Sequence, residues 1–139
     1  MQNVLVDTGI WFAMFDPRDQ YAKDIEEKAK IVERCHVVLP WPTVYETVRT
    51  RMAKNRFALQ QFKSYLARPH VEYLDDTSYR EAALELAFES SLRRSRPLSM
   101  VDCLIRLILG DINVKVDYLA TYNVMDFEDV CRRRRIEIV

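Results

Sequence analysis

Val4-Leu5-Val6-Asp7-Thr8 is three consecutive aliphatic side chains stopped by an acid and a hydroxyl. Successive residues of a strand point to opposite faces, so an unbroken apolar run belongs to a strand covered on both sides. Val37-Val38-Leu39, halted by Pro40, repeats the pattern. Val71-Glu72-Tyr73-Leu74 and Tyr118-Leu119-Ala120-Thr121 supply a third and a fourth strand, and Ile136-Glu137-Ile138-Val139 a fifth. The stretches between them are helical. Residues 21–34 carry Lys, Glu, Ala and Ile at helical spacing, and Pro42 and Thr43 open a helix with Val44, Tyr45, Val48 and Met52 on one face. Residues 57–67 form another, and 79–93 a long amphipathic one stopped by Pro97. From Ser99 runs a helix apolar almost all round, through Val101, Leu104, Ile105, Leu107, Ile108 and Leu109 to Gly110, which is expected to be central. Strands alternating with helices predict an α/β domain around a mainly parallel sheet of four to five strands.

With 139 residues, 49% of them hydrophobic, and only 2 Gly, the chain has enough apolar surface for a core and no linker at which to divide it, so 1–139 is expected to be a single domain. The apolar runs at 4–6 and 104–109 fall far short of the roughly 20 residues that span a bilayer. Without a basic, apolar and small-residue leader pattern at the start, a cytoplasmic location is expected. Cys35, Cys103 and Cys131 show no CxxC spacing and are expected as reduced thiols. Lys+Arg and Asp+Glu both number 21, so net charge lends no support to nucleic-acid binding. Charge is nevertheless unevenly spread. Residues 16–33 are acid-rich, while Arg49, Arg51, Lys54 and Arg56 cluster, as do Arg93, Arg94 and Arg96, and residues 132–135. Such runs are ordinarily solvated faces; the cluster just beyond Glu46 is the one expected to meet phosphate. Gly9 and Gly110 alone cannot build a phosphate-cradling loop, and His36 and His70, flanking strands, read as turn residues. No motif supports Ser-His-Asp or Cys-His catalysis.

In a parallel sheet the site lies beyond the carboxyl ends of the strands, where the strand order switches. Asp7 follows strand one and Asn123 follows strand four, placing both at that edge. Glu46 lies near the start of the helix after strand two, and Asp102 in the first turn of the late apolar helix. Carboxylates brought together raise one another's pKa, and a hard divalent cation such as Mg²⁺ or Mn²⁺ relieves the repulsion and activates a water. Each acid also has a structural reading. Ser99 and Asp102 fit a capping box, Asp7 fits a turn that ends a strand, Glu46 fits dipole matching in a first turn, and Asp126 fits the cap of a short helix starting at Phe127.

Taken in order, Val4-Leu5-Val6-Asp7-Thr8, Pro42-Thr43-Val44-Tyr45-Glu46, Leu98-Ser99-Met100-Val101-Asp102-Cys103-Leu104-Ile105 and Leu119-Ala120-Thr121-Tyr122-Asn123-Val124-Met125-Asp126-Phe127 resemble the successive motifs of PIN domains, VapC toxins in particular. The resemblance spans essentially the whole chain. It implies a three-layer domain and a metal-dependent endoribonuclease acting on RNA, with homodimerisation and inhibition by a cognate antitoxin. It also implies that Asp7, Glu46 and Asp102 are the principal acids, Asp7 and Asp102 the metal ligands, and Thr8 and Ser99 polar positions beside the Mg²⁺ or Mn²⁺. The chain departs from the pattern at the fourth position, where Asn123, a familiar variant, stands in place of the acid of many relatives; Asn123 and Asp126, three residues on, are both candidates for that position. A neutral amide ligates only through its carbonyl, which favours one firmly held ion. The alternative is a PIN-like module that binds RNA or protein with little or no catalysis. An aspartate-nucleophile phosphatase ranks last, since Gly9 stands where its Asp-x-Asp motif needs a second acid.

Overall fold

In this computed structural model the described residues are 1–93 and 96–139. The chain runs β1 (Asn3–Val6), α1 (Thr8–Phe15), α2 (Glu26–Arg34), β2 (His36–Pro40), α3 (Trp41–Thr47), α4 (Thr50–Ala53), α5 (Arg56–Leu66) and β3 (Val71–Leu74). A 3-10 turn at Thr77–Tyr79 then leads to α6 (Arg80–Arg93), α7 (Met100–Gly110), β4 (Tyr118–Ala120), α8 (Val124–Arg134) and β5 (Glu137–Ile138). The five strands form one sheet in the order β3-β2-β1-β4-β5. Every pairing is parallel, Val4 lying beside Val37 on one side and Tyr118 on the other. Chain order therefore reverses between β1 and β4, and the switch point lies between the carboxyl ends of those two strands.

The two-residue period of β1 divides the core. Val4 and Val6 pack with Ile10, Trp11, Val32, Phe62 and Tyr65 on one face, and Leu5 packs with Leu104, Ile105, Ile108, Leu119 and Phe127 on the other. All three β1 side chains have no exposure, which makes the sheet the middle of three layers. Burying an aliphatic side chain of this size contributes roughly 1.5–3 kcal/mol, so these few residues fix the plane on which the site is built. Among the described residues no helix is long and apolar enough to cross a membrane.

Several local expectations are corrected. The first helical turn expected at 21–25 is instead a series of turns: the Asp19 carboxylate accepts from the Tyr21 backbone N–H at 3.0 Å, and Tyr21 stacks on Tyr122 with ring centroids 3.8 Å apart. The helix expected from Pro42 to Met52 begins at Trp41 and breaks at Val48, where ψ is 55°, so Tyr45 faces solvent while Met52 is buried. Pro40 belongs to β2 and pairs with Leu74. Gly110 is the last residue of α7 without a left-handed φ, and Asp111 forms the cap. His36 opens β2 instead of lying in a turn and pairs with Glu72 at 2.6 Å, whereas His70 is the turn residue expected, its ring meeting the Tyr65 hydroxyl at 3.3 Å. The three cysteines are buried and none is in a disulfide, as expected.

The charge runs are more than solvated faces. Arg51 of the basic cluster bonds Asp16 at 3.2 Å and Asp19 at 2.9 Å, so part of the acid-rich run neutralises part of the basic one. Arg134 donates to the Leu109 and Asp111 carbonyls at the end of α7, the end of a helix that favours a cation. Arg94 of the second basic cluster lies outside the described residues.

Candidate active site

Asp7 stands at the switch point as the N-cap of α1, with 6% of its surface exposed. Its backbone N–H donates to the Ala120 carbonyl at 3.0 Å, continuing the β1–β4 ladder by one residue. Its two carboxylate oxygens are held separately: Oδ1 accepts from the Thr8 N–H at 2.8 Å, and Oδ2 from the Thr121 hydroxyl at 2.8 Å. Thr121 Oγ1 in turn accepts from the Asn123 N–H at 3.0 Å, so one buried hydroxyl ties the ends of β1 and β4 and the start of α8 together. Burial is the main force pushing the Asp7 pKa up; the Thr121 and Thr8 hydrogen bonds oppose it, and nearby Asp126 adds to it.

Glu46 is half-buried in the second turn of α3, because that helix starts at Trp41 and has no acid in its first turn. Dipole matching therefore does not explain it. Two fully buried threonines hold α3: Thr43 Oγ1 donates to the Pro40 carbonyl of β2 at 2.7 Å, and Thr47 Oγ1 donates within the helix to the Thr43 carbonyl at 2.6 Å. The Glu46 pKa is raised by burial first, then by Asp7 and Asp102, against the pull of Arg49. Asp102, also half-buried, sits in the first turn of α7, whose cap Ser99 accepts from the Asp102 N–H at 3.1 Å. Burial raises the Asp102 pKa, and Asp7 and Asp126 add to the rise, while the Ser99 hydroxyl and backbone favour its charged form. The capping box is thus real, and the Ser99 hydroxyl is occupied by it. Asp102 serves the cap and faces the other acids at once.

The two candidates for the fourth position differ in their surroundings. Asn123 occupies the cap of α8 but its side chain makes no cap hydrogen bond and is exposed. Asp126, in the first turn of α8 and not at its cap, is the residue whose charge reaches both Asp7 and Asp102. Its carboxylate is gripped by Arg96, Nε to Oδ1 at 2.8 Å and Nη2 to Oδ1 at 2.6 Å. Thr121 stands beside the acids and sequence reasoning did not single it out, while Arg49 and Arg96 were named only as members of basic runs. A Thr two residues before Asn123 was visible in the motif, but its bond to Asp7 depends on β1 and β4 being neighbours.

The donor set suits a hard cation, being all carboxylate oxygen with hydroxyls beside it. Thr8 adds an independent sign. Its hydroxyl is buried, with 5% of the residue exposed, and has no close hydrogen-bond partner; it does no more than favour the charged form of the nearby Glu46 carboxylate. A buried hydroxyl without a partner costs roughly 1–3 kcal/mol, so one beside repelling acids fits a polar or charged ligand there. Among the described residues no three His, Cys, Asp or Glu side chains close on a single point as they stand. The acids repel one another, and Arg49, Arg96 and Arg106 are cations whose charge is felt among them.

No protein-family model matches the chain, and no curated protein is significantly similar to it.

Proposed function

We propose that the chain is a metal-dependent endoribonuclease of the PIN-domain, VapC-toxin kind, hydrolysing RNA phosphodiester bonds. The observation that carries this reading is the convergence of Asp7, Glu46, Asp102 and Asp126, from four separate segments, on the carboxyl edge of β1 and β4, where three of them are held above the ordinary carboxylate range by burial and by one another. Asp7 and Asp102 would hold Mg²⁺ or Mn²⁺, which when bound supplies charge neutralisation and a more acidic water. Asp7 is pre-aimed, since Thr8 and Thr121 fix the plane of its carboxylate before any ligand arrives. Glu46, with its raised pKa, is matched to taking the proton of the attacking water. In the reaction the water oxygen bonds to phosphorus, the bond from phosphorus to the 3′ oxygen breaks, and that oxygen takes a proton, leaving a 5′-phosphate and a 3′-hydroxyl. A cytoplasmic toxin role with a cognate antitoxin and a homodimer completes the reading; the exposed α6 stripe of Leu84, Phe88 and Leu92 supports self-association.

The second reading, an RNA- or protein-binding module without catalysis, draws on the Arg96 grip on Asp126 and the neutral Asn123. Thermal melts with added Mn²⁺ separate the two. The nuclease reading expects stabilisation by RT ln(1 + [L]/Kd), roughly 2.7 kcal/mol at a hundred times Kd, largely lost in Asp102→Asn. A melt that Mn²⁺ leaves unmoved removes the metal-dependent reading.

A further inference from the structure

A groove of ≈ 660 Å³ opens between the loop that leaves α1 and the α4–α5 connection. Arg18, Lys54, Arg56 and Phe57 line it, along with Arg51. Arg51 is not available to a ligand in the way its neighbours are. It is bound to Asp16 and Asp19 and lies over the Phe12 ring at 4.5 Å, and Asn55 reinforces the same anchor through Asp16 at 3.4 Å. This anchored group forms the floor. Arg18, Lys54 and Arg56, by contrast, have no carboxylate partner among the described residues. Phe57 presents its ring beside them with 63% exposure, although the fold gains nothing by leaving it in water. Three unneutralised cations around a bare aromatic ring, on a chain whose net charge is zero, are a local arrangement that overall composition conceals.

The groove also lies in line with the acids. Asp7 caps one end of α1 and Asp16 the other, so the two are roughly 13 Å apart at 1.5 Å per helical residue. Arg49, beside Glu46, and Arg51, in the groove floor, both lean on Phe12 of α1. A phosphate backbone held at the acids reaches the groove within a few nucleotides.

We propose that this groove binds single-stranded RNA flanking the cleaved bond, with Arg18, Lys54 and Arg56 on successive phosphates and Phe57 stacked on an unpaired base. The inference deepens the ribonuclease reading, but the groove is a binding surface whether or not the acids cut. Cations that track a backbone beside an aromatic platform suit a single strand, because a duplex keeps its bases stacked away from the ring. With its Nη2 already shared between Asp16 and Asp19, Arg51 is left out of the proposed phosphate contacts, although it belongs to the same sequence cluster.

The test is binding of a labelled, unstructured oligouridine to the full chain in chelator, where no metal-dependent cutting occurs, over a range of salt. Replacing Arg18, Lys54 and Arg56 together by Ala is expected to flatten the log–log salt slope by about 2, at ~0.7 per phosphate contact on a single strand. Phe57→Ala is expected to weaken binding by about five- to a hundredfold without changing the slope, and Phe57→Tyr to restore it. Both variants alter exposed side chains, and unchanged melts confirm that they fold. An unaltered slope in the triple variant, a Phe57→Ala as tight as wild type, or equal binding of the matching duplex would overturn the proposal. So would polyglutamate binding as tightly as RNA with Phe57 irrelevant, which would point to an acidic protein segment instead. Binding that behaves as expected while the chain fails to cleave with Mn²⁺ would leave the groove standing and remove only the nuclease reading.

Discussion

The Thr121 hydroxyl donates to Asp7 Oδ2 at 2.8 Å, joining residues 114 positions apart at the point where the strand order reverses. One oxygen of Asp7 is held by its own helix and the other by the neighbouring strand, so the carboxylate is fixed from two sides. That makes Thr121 a positioning residue. Thr121→Val keeps the shape and removes the bond, and is expected to destabilise the fold by about 1–2 kcal/mol and to weaken Mn²⁺ binding. Thr121→Ser should restore the metal affinity more fully than the stability. Equal loss of affinity in both variants would show that the methyl, not the hydroxyl, matters.

Thr8→Val sets a structural role against a ligand role. The hydroxyl makes no close hydrogen bond among the described residues and only favours the charged form of Glu46, so its removal is expected to leave the metal-free melt within ~1 kcal/mol of wild type. Mn²⁺ affinity, read by calorimetry, should fall. A melt lowered by more than ~1 kcal/mol in chelator would mean the hydroxyl has a partner of its own.

Asp7→Asn tests the repulsion directly. Because burial and Asp126 raise the Asp7 pKa, the fold disfavours the charged form. The corresponding stability is fully present below the ordinary carboxylate range and is lost as pH rises through the raised value. At neutral pH in chelator the variant is therefore expected to melt no lower than wild type, and the advantage should vanish near pH 4. A variant less stable at every pH would make Asp7 a purely structural cap.

How much of this was legible in the residues depends on the range of the interaction. The unbroken run Val4-Leu5-Val6 is enough to place a doubly covered strand, and an acid after it marks the sheet edge, because both follow from local pattern. The order of Asp7, Glu46 and Asp102 was readable for the same reason. The Thr121 bond was not, since it exists only because β4, and not β3, lies beside β1. Nor was the break at Val48, which parts Glu46 from the basic cluster, or the pairing of Arg51 with Asp16 and Asp19 across more than thirty residues. Of the two readings of Asp126, the cap fails because α8 begins at Val124, three residues ahead of Phe127.

Arg96 already supplies a cation to the rim of the site. Its pair with Asp126 is half-exposed on the arginine side, so Arg96→Ala is expected to cost less than ~1 kcal/mol. Removing the positive charge should tighten Mn²⁺ binding several-fold by freeing Asp126. An affinity that does not move would place Asp126 outside the metal's surroundings.

Arg106 fixes the helix that carries Asp126. It grips Asp129 with two bonds, at 2.6 and 2.8 Å, and donates to the Asp126 carbonyl at 2.7 Å. This fork holds the Asp129 carboxyl down at about 2. A lowered pKa gives stability that is present above the ordinary carboxylate range and lost as pH falls through about 2. Asp129 is more than half exposed, so the gap between wild type and Asp129→Asn should be under ~1 kcal/mol at neutral pH and close towards pH 2. A gap that persists unchanged at pH 2 would assign the effect to packing.

The most direct measurement is cleavage of an end-labelled single-stranded RNA by wild type and Asp102→Asn, each with Mn²⁺ and with chelator. Wild type should cut only with Mn²⁺ and leave 5′-phosphate ends, while the variant, folded to within ~1 kcal/mol of wild type, should be slower by several powers of ten. Cutting that persists in chelator, or an Asp102→Asn as fast as wild type, would contradict the account.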